Sequence, residues 1–340
     1  MLGDTVADPV IARVVEAYDL AYSSIRPMQK GYRNQSFPVL LKNGQMVNLI
    51  LYKSEEGILQ KIKAANAVSN YLAAGSLPVR YQIDPRIIGL RTNAHFRYGA
   101  LYNYLEGKTI PWEEYTQDHI KVLGKAMSDM HAALAGFSHS SLPEVTDEYL
   151  AINQQMKSYF NNASVQRALA QKLLLKPNFV IFDRFEQLLT GCKLLPAKQP
   201  LHMDFVRSNI LFGEAQPGST ARVAVSGILD FEKASYGHPL FDIARTLAFL
   251  LVDCKYKSPE KVRKYFLGSG YIKRGKALLP AAHAQLLEPL LGMFLFYDFY
   301  KFLRHNPYES LPENEHFMRT AQLLIPRRLV VPTTSIARLS

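Results

Sequence analysis

The chain has 340 residues, of which 48% are hydrophobic and 20% are charged. These values are typical of a globular protein with a substantial core, and they exclude a collagen-like, coiled-coil or disordered main architecture. The formal net charge of +11 is scattered along the sequence. Its simplest interpretation is a solvated basic surface. No polynucleotide partner is expected, whereas a small phosphate-bearing ligand is compatible with this charge.

The amino-terminal segment and the two cysteines predict a cytoplasmic setting. Met1–Val10 contains two aspartates, no basic residue and no apolar core, so it does not have the pattern of a signal peptide. The longest apolar stretches are far too short to cross a membrane. Cys192 and Cys254 are too few and too far apart for a disulfide framework or a zinc pattern.

The first hundred residues predict a small sheet accompanied by helices. Asp8-Pro9 is a typical helix start, and Asn43-Gly44 is a strong hairpin signal between two apolar runs. The predicted elements are a helix over 9–22, strands over 36–41 and 46–52, a helix over 55–74, and strands over 78–91 and 97–104.

The rest of the chain is dominated by helical periodicity. Helices are predicted over 112–135, 147–160, 163–174, 178–190, 240–254, 258–267 and 282–304. The exception is the strand-and-turn segment 200–233. We therefore expect an α+β fold with a β-rich amino-terminal lobe over 1–104, a mainly helical lobe over 105–325 and a tail over 326–340.

One hairpin inside the helical region carries polar residues at its open end. Ile210–Phe212 and Val223–Leu229 are apolar strands joined by a turn-forming stretch. An antiparallel hairpin brings Asn209 and Asp230 together at that end, and Asp204 precedes Asn209 by five residues. Oxygen ligands of this kind suit Mg²⁺, which leaves Asp204 to act on a substrate hydroxyl. This division of labour is the one that phosphoryl transfer requires.

Each of these residues also has an ordinary structural interpretation. Asp204 and Asn209 could each be a turn residue, and Asp230 could simply end a strand. Asp242, after a turn, could be a favourable charge at a helix start or a buried carboxylate that fixes the His202–Asp204 loop. The coincidence of all the spacings favours the chemical interpretation.

Three motifs resemble a known family of phosphotransferases. They are His202-x-Asp204-x4-Asn209, Ile-Leu-Asp230-Phe-Glu and Gly237-x-Pro239-x-x-Asp242. Over roughly residues 25–300 the chain resembles the family that includes aminoglycoside phosphotransferases, choline and ethanolamine kinases and homoserine kinases. That family is similar in fold to protein kinases, so the resemblance implies a two-lobed protein-kinase-like fold.

The resemblance also implies roles for the residues of these motifs. Asp204 corresponds to the catalytic base, and Asn209 and Asp230 correspond to the ligands of Mg²⁺. His202 and Asp242 correspond to structural braces of the catalytic loop. Arg207 lies close to Asp204 in sequence and could offset charge at the transferred phosphate, although a surface arginine is an equally good interpretation.

The nucleotide-binding region departs from the family's usual pattern at one position. The covering loop is similar to the stretch that contains Gly31, Arg33 and Asn34, and the hinge that would bind adenine is similar to the stretch that contains Asn103 and Leu105. The family usually places a basic residue on the third strand, paired with a glutamate on the next helix. Here the corresponding residues are Ile50 and, on the helix, Ala64 or Ala65. Lys53 or Arg33 is expected to supply the charge, although residues 50 and 53 face opposite sides of a regular strand.

The predicted activity is ATP-dependent and Mg²⁺-dependent transfer of the γ-phosphate to a small-molecule hydroxyl. The acceptor would be an amino alcohol, amino sugar, amino acid or aminoglycoside-like compound. The alternative is a nucleotide-binding regulatory protein, a pseudokinase, with weak transfer activity or none. The missing basic residue at Ile50 supports that alternative, and the presence of all three catalytic groups opposes it.

Overall fold

The computed structural model describes residues 8–30, 34–91, 96–137, 141–215, 222–277 and 281–333. Gly31 and Arg33, two of the predicted nucleotide-binding residues, lie outside these ranges. The chain divides into two compact units. Unit 1 consists of Met1–Thr109, Asn209–Gly213 and Val225–Lys233, and unit 2 consists of Ile110–Ser208, Glu214–Ala224 and Ala234–Ser340.

Unit 1 is built around one antiparallel sheet. Its strands are β1 (Tyr22–Ile25), β2 (Gln29–Lys30), β3 (Gln35–Leu41), β4 (Met46–Leu51), β5 (Ile88–Arg91) and β6 (Phe96–Asn103). They are ordered β1-β3-β4-β6-β5, and β2 extends the pairing of β3. The expected turn at Asn43-Gly44 joins β3 to β4, with Gly44 at φ +85°. Glycine adopts this left-handed conformation without a steric penalty.

The two faces of this sheet bury different residues of β4, because side chains alternate along a strand. Val47, Leu49 and Leu51 pack into a cluster with helix α1 (Asp8–Glu16). Ile50 and the following Tyr52 face the other way, toward helix α2 (Ile58–Ala74). Burial of both faces explains why β4 is apolar along most of its length.

The predicted hairpin forms, and the part of it nearest its open end belongs to unit 1. Strands β9 (Ile210–Glu214) and β10 (Val223–Ile228) make a two-stranded sheet. The segment after β6 pairs with this hairpin through two backbone hydrogen bonds of 2.9 Å between Lys108 and Phe212. Gly107 allows the close approach, since it has φ +136° and a Cβ there would lie 2.2 Å from the Ser226 hydroxyl oxygen.

Unit 2 is mainly helical. Its α-helices are α3 (Gln117–Leu134), α4 (Val145–Asn161), α5 (Ala163–Ala168), α6 (Val180–Lys193), α7 (Leu240–Asp253), α8 (Pro259–Arg263), α9 (Ala281–Ala284), α10 (Leu287–His305) and α11 (Glu315–Leu324). Two short antiparallel pairs accompany them, β7 (Leu175–Pro177) with β12 (Val330–Pro332) and β8 (Gln199–Leu201) with β11 (Ser235–Gly237). Large apolar side chains of α7 and α10 fill much of the core. Among the described residues, no helix is both long and apolar enough to cross a bilayer.

Three predicted elements differ from the structure. The helix expected over 9–22 ends at Glu16, where Asp19 turns the chain at φ +57° and Tyr22 enters strand β1 against β3. The strand expected over 78–91 is regular only at Ile88–Arg91, preceded by isolated bridges. The helix expected over 282–304 is interrupted and consists of α9 and α10. In the first two cases, pairing with distant strands overrides local periodicity.

Candidate active site

The loop that carries Asp204 is fixed by a buried carboxylate. Asp242, at the start of α7, accepts hydrogen bonds from the backbone N–H groups of His202 (2.8 Å) and Met203 (2.6 Å). Met203 has φ +57°, an uncommon conformation for a residue with a side chain. The His202 ring accepts from the Asp204 N–H at 3.2 Å, and the Asp204 side chain remains partly exposed.

His131, a histidine on helix α3 with no distinctive sequence signal, completes this support. The His131 Nε2 lies 3.1 Å from an Asp242 carboxylate oxygen, and its Nδ1 lies 2.8 Å from the Tyr271 hydroxyl. Burial alone would raise the pKa of Asp242. Its hydrogen bond with His131, the charges of His131 and His202 and the His202 N–H together hold that pKa below its ordinary value. An ionised Asp242 can accept all of these hydrogen bonds.

Helix α7 holds the same loop at two further points. The Arg245 Nε donates to the Met203 carbonyl at 2.8 Å, and the Thr246 hydroxyl donates to the Phe205 carbonyl at 3.2 Å. Arg245 is buried, with its guanidinium against aromatic rings that include Phe294. These positions follow Asp242 by three and four residues, which places all three on one face of the helix.

The hairpin brings the two candidate metal ligands together. The Leu229 N–H donates to the Asn209 carbonyl at 2.8 Å, so Asn209 lies beside the residue that precedes Asp230. Asp230 is partly exposed and has φ +61°, while Asn209 is almost fully buried. Within the described residues, Asp230 accepts only a long hydrogen bond of 3.4 Å, from the Glu232 N–H.

This donor set fits a hard cation such as Mg²⁺. An amide oxygen and a carboxylate are ligands of the right type, and the Asp230 carboxylate retains unused acceptor capacity. The described part of the chain contains no group of three or more His, Cys, Asp or Glu side chains arranged for a metal. Asn209 and Asp230 therefore suit an ion that takes its other ligands from substrate phosphates and water.

Asn34 is the predicted covering-loop residue that the structure describes. Its side-chain amide donates to the Glu232 carboxylate, and its carbonyl oxygen accepts from the Lys53 N–H at 3.1 Å. The start of β3 is thereby tied to the end of β4 and to the residues after Asp230. The Lys53 side chain is exposed, whereas Ile50 is only 2% exposed and packs against α2.

The two predicted hinge residues differ in their hydrogen bonding. Asn103 is committed to the protein, since its side-chain oxygen accepts from the Tyr81 N–H at 2.8 Å and its own N–H donates to the Tyr81 carbonyl. Leu105 is partly buried, and its backbone N–H and C=O form no hydrogen bond with any described residue. Leu105 therefore offers one donor and one acceptor to a ligand.

Arg207, the other predicted catalytic residue, follows Asp204 in the loop. Its side chain is exposed, and its charge partly offsets the rise that burial causes in the pKa of Tyr115.

A further basic side chain, Arg80, was not anticipated from the sequence. Burial lowers the pKa of Arg80, but the charges of Tyr52, Asp230, Tyr102 and Glu232 raise it above its ordinary value. The Arg80 guanidinium lies over the Tyr102 ring.

The turn before α7 contains a histidine that must stay neutral. The His238 Nδ1 accepts from the Leu240 N–H at 3.2 Å, so its Nε2 carries the proton and donates to the His283 Nδ1 at 3.0 Å. Burial, together with the charges of His283 and His131, lowers the pKa of His238 from 6.5 to about 4. Protonation at Nδ1 would break the hydrogen bond from Leu240.

This geometry predicts an acid-sensitive contribution to stability. Between pH 6.5 and about 4, His238 binds a proton in the unfolded chain but not in the folded one. The free energy of unfolding should therefore decrease as the pH is lowered through this window, by at most about 3 kcal/mol. His238→Asn retains an acceptor for Leu240 but cannot titrate. Urea unfolding at several pH values should show the wild type losing stability more steeply than this variant.

The matched control is His305→Gln, which removes an exposed histidine at the end of α10. This control should keep the wild-type pH dependence. Parallel curves for the wild type and His238→Asn between pH 6.5 and 4 would show that His238 titrates normally.

Comparison with known sequences identifies a family and its members. A model described as "Phosphotransferase enzyme family" matches residues 24–256. The homoserine kinase of Burkholderia mallei (strain SAVP1) is 26% identical over 257 residues, which cover 73% of this chain and 71% of the relative. The homoserine kinase of Paraburkholderia xenovorans (strain LB400) is 25% identical over 259 residues, with the same two coverages.

Solved structures show the same fold at low sequence identity. The amicoumacin kinase hAmiN, in complex with AMP-PNP, Ca²⁺ and Ami, has a TM-score of 0.65 at 12% identity and covers 94% of this chain and 93% of its own. A microcompartment-associated aminopropanol kinase has a TM-score of 0.66 at 15% identity, covering 92% and 94%. The expected α+β protein-kinase-like fold is thus confirmed.

Proposed function

The chain belongs to the phosphotransferase enzyme family, and on that basis we propose that it transfers the γ-phosphate of Mg-ATP to a hydroxyl of a small molecule carrying an amino group. That the chain is an ATP-dependent phosphotransferase with a hydroxyl acceptor follows from its family and relatives. The proposal adds the identity of the metal, the class of acceptor and the roles of individual residues.

The observation that carries the proposal is the hydrogen bond of 2.8 Å from the Leu229 N–H to the Asn209 carbonyl. It keeps the two candidate metal ligands at the open end of one hairpin. Asn209 and Asp230 would hold Mg²⁺, which when bound neutralises charge on the phosphates. Glu232 keeps Asn34 nearby, so the strand that follows the covering loop is linked to the metal-binding segment.

Asp204 is assigned the role of catalytic base. It would accept or orient the proton of the acceptor hydroxyl, which requires a carboxylate held in a fixed position. The hydrogen bonds from His202 and Met203 to Asp242 support that position, because they fix the backbone immediately before Asp204. His202 and Asp242 are therefore assigned as braces of the loop, and Arg207 as a charge that offsets the transferred phosphate.

The nucleotide base is assigned to the segment after β6. Adenine presents one donor and one acceptor on its edge, and Leu105 offers a backbone N–H and C=O with no partner among the described residues. Asn103 supports this segment rather than the nucleotide, since its side-chain amide is bonded to the Val79–Tyr81 backbone.

The class of acceptor is inferred from the relatives. Homoserine is a hydroxyl-bearing amino acid and aminopropanol is an amino alcohol, so both named relatives act on compounds that combine a hydroxyl with an amine. A regulatory pseudokinase is not favoured, because Asp204, Asn209 and Asp230 are all present.

The test is phosphorylation of defined acceptors by the purified protein. We expect ADP formation from Mg-ATP to rise when homoserine, 1-amino-2-propanol, ethanolamine or kanamycin is supplied singly, and EDTA to abolish it. Phosphorus NMR should show a phosphate monoester on oxygen for the active acceptor. ADP formation that is indifferent to every acceptor, with no phosphorylated product, would contradict the proposed activity.

A further inference from the structure

The residue at the strand position of the usual phosphate-binding lysine is apolar in this chain, so another residue must supply the charge. By the resemblance to the family, Ile50 and either Ala64 or Ala65 correspond to the two positions of the usual ion pair, and all three residues are buried. Ile50 packs against Ile58 and Ile62 of helix α2, so this face of the sheet is an apolar wall. Both members of the pair are missing together, which leaves no buried charge uncompensated.

A neutral hydrogen-bond network lies beside this apolar wall. The Tyr102 hydroxyl donates to the side-chain oxygen of Asn66 at 2.8 Å, so the Tyr52 hydroxyl must donate to Tyr102, at 2.5 Å. The Asn66 amide donates in turn to Gln82 at 2.7 Å. Each polar group of this buried chain therefore has a partner without any cation.

Arg80 is held at the edge of this network by its backbone. The Arg80 N–H donates to the Ile228 carbonyl at 2.9 Å, and the Ile228 N–H donates to the Pro78 carbonyl at 2.8 Å. These bonds form a parallel bridge with the last residue of β10, two residues before Asp230. The guanidinium carbon lies 5.1 Å from the centre of the Tyr102 ring, a typical cation–π distance.

The side-chain donors of Arg80 nevertheless have no partner among the described residues. Arg80 is a half-buried residue, and its guanidinium has neither a hydrogen bond nor an ion pair with any residue that the structure describes. Although burial lowers the pKa of Arg80, the charges of Tyr52, Asp230 and Glu232 are among those that raise it, so the guanidinium is charged. Arginine in such a setting has five N–H donors in a planar fork, which matches the oxygens of a phosphate.

We propose that Arg80 binds the phosphates of the nucleotide and so replaces the missing strand lysine. Its backbone is paired with Ile228, two residues before the assigned metal ligand Asp230, and its guanidinium is stacked on Tyr102, so both ends of the residue are fixed. This inference rests on the proposed function, because it takes a nucleoside triphosphate as the ligand. Lys53 is the weaker candidate, since its exposed side chain follows a strand whose regular alternation points it away from Ile50.

The experiment compares nucleotides with different numbers of phosphates. Isothermal titration with ATP, ADP and adenosine should be carried out on the wild type, Arg80→Gln and Arg80→Lys, without an acceptor. Arg80→Gln should weaken ATP and ADP binding roughly 10- to 100-fold and leave adenosine binding within about twofold, as expected for loss of a charge-assisted contact. Arg80→Lys keeps the charge but not the fork, so its loss should be smaller.

Arg86→Gln is the matched control. Arg86 also lies over a tyrosine ring, that of Tyr18, but its guanidinium is bonded to Asp84 and Asp19. Its removal should change stability without changing the preference for ATP over adenosine. If Arg80→Gln does not fold, as judged by its melting curve without nucleotide, Arg80→Lys must still show a selective loss of ATP binding.

The inference is overturned if the Arg80 variants keep the wild-type preference for ATP over adenosine. It is also overturned if their affinity for adenosine falls as much as their affinity for ATP. It is also overturned if the wild type binds adenosine as tightly as ATP. Because binding is measured without an acceptor, a failure to phosphorylate any amino alcohol does not affect this result. Conversely, a fully active Arg80→Gln enzyme would remove Arg80 and leave the proposed phosphotransfer standing.

Discussion

Asp204→Asn is expected to lower turnover by roughly 10²–10⁴-fold, the usual contribution of a positioned proton acceptor. The substitution keeps the size of the side chain and removes its basicity. The affinity for Mg-ATP should remain close to that of the wild type, because the assigned metal ligands are Asn209 and Asp230. Steady-state kinetics with an active acceptor and nucleotide titration would measure the two effects separately.

The fold of this variant should be unaffected for a specific reason. The loop is held by Asp242 through the backbone N–H groups of His202 and Met203, and none of these bonds involves the Asp204 side chain. Asp183→Asn removes an exposed carboxylate that pairs with Lys157 on the surface of unit 2, so it controls for a lost charge. A turnover within a few fold of the wild type for Asp204→Asn would exclude Asp204 as the base.

Asp230→Asn is expected to remove the Mg²⁺-dependent part of nucleotide binding and to lower turnover by at least about 100-fold. Asp230 is the only charged member of the assigned ligand pair, and a neutral amide cannot compensate a divalent ion equally well. Asparagine is the preferred substitution because Asp230 has φ +61°, a conformation that asparagine also tolerates. Alanine would combine the loss of a ligand with backbone strain.

The measurement is the thermal stabilisation by ATP, with Mg²⁺ and with EDTA. The wild type should gain more stability from ATP when Mg²⁺ is present. Asp230→Asn should gain the same stability from ATP with Mg²⁺ as with EDTA. Asp253→Asn is a control, since that carboxylate pairs with His316 in unit 2. A Mg²⁺-dependent gain in Asp230→Asn equal to that of the wild type would show that the ion is held elsewhere.

The hydrogen bonds around Asp242 explain how one buried carboxylate can fix the loop that carries Asp204. Burial of an ion is costly unless hydrogen bonds compensate it. Here two backbone N–H groups and the His131 ring donate to Asp242, and Arg245 and Thr246 anchor the same loop from the next turn of α7. The uncommon φ of Met203 is thus held by hydrogen bonds from two sides, as strained backbone requires.

Several features of this protein were determined by local sequence. The hairpin of β9 and β10 was predictable because apolar strands flank a turn-forming stretch. A hairpin also brings the start of its first strand beside the end of its second, here Asn209 beside Leu229. The position of Asp242 at the start of α7 was predictable for a similar reason, since the apolar helix begins directly after the turn. Motif spacing and hydrophobic periodicity act over short distances, so they can be recognised in one sequence.

Tertiary structure decided the features that depend on contacts between distant segments. Nothing local marks His131 as a partner of Asp242, 111 residues away, because a histidine on the apolar face of α3 has the same pattern when it is only a core residue. Arg80 lies in a segment that resembled a strand, and only its backbone pairing with Ile228 places it at the end of β10, two residues before Asp230. Helix α1 stops early because pairing of β1 with β3 outweighs a few more residues of helical periodicity. Such interactions gain free energy from packing and pairing across the fold, and those terms are absent from any local window of sequence.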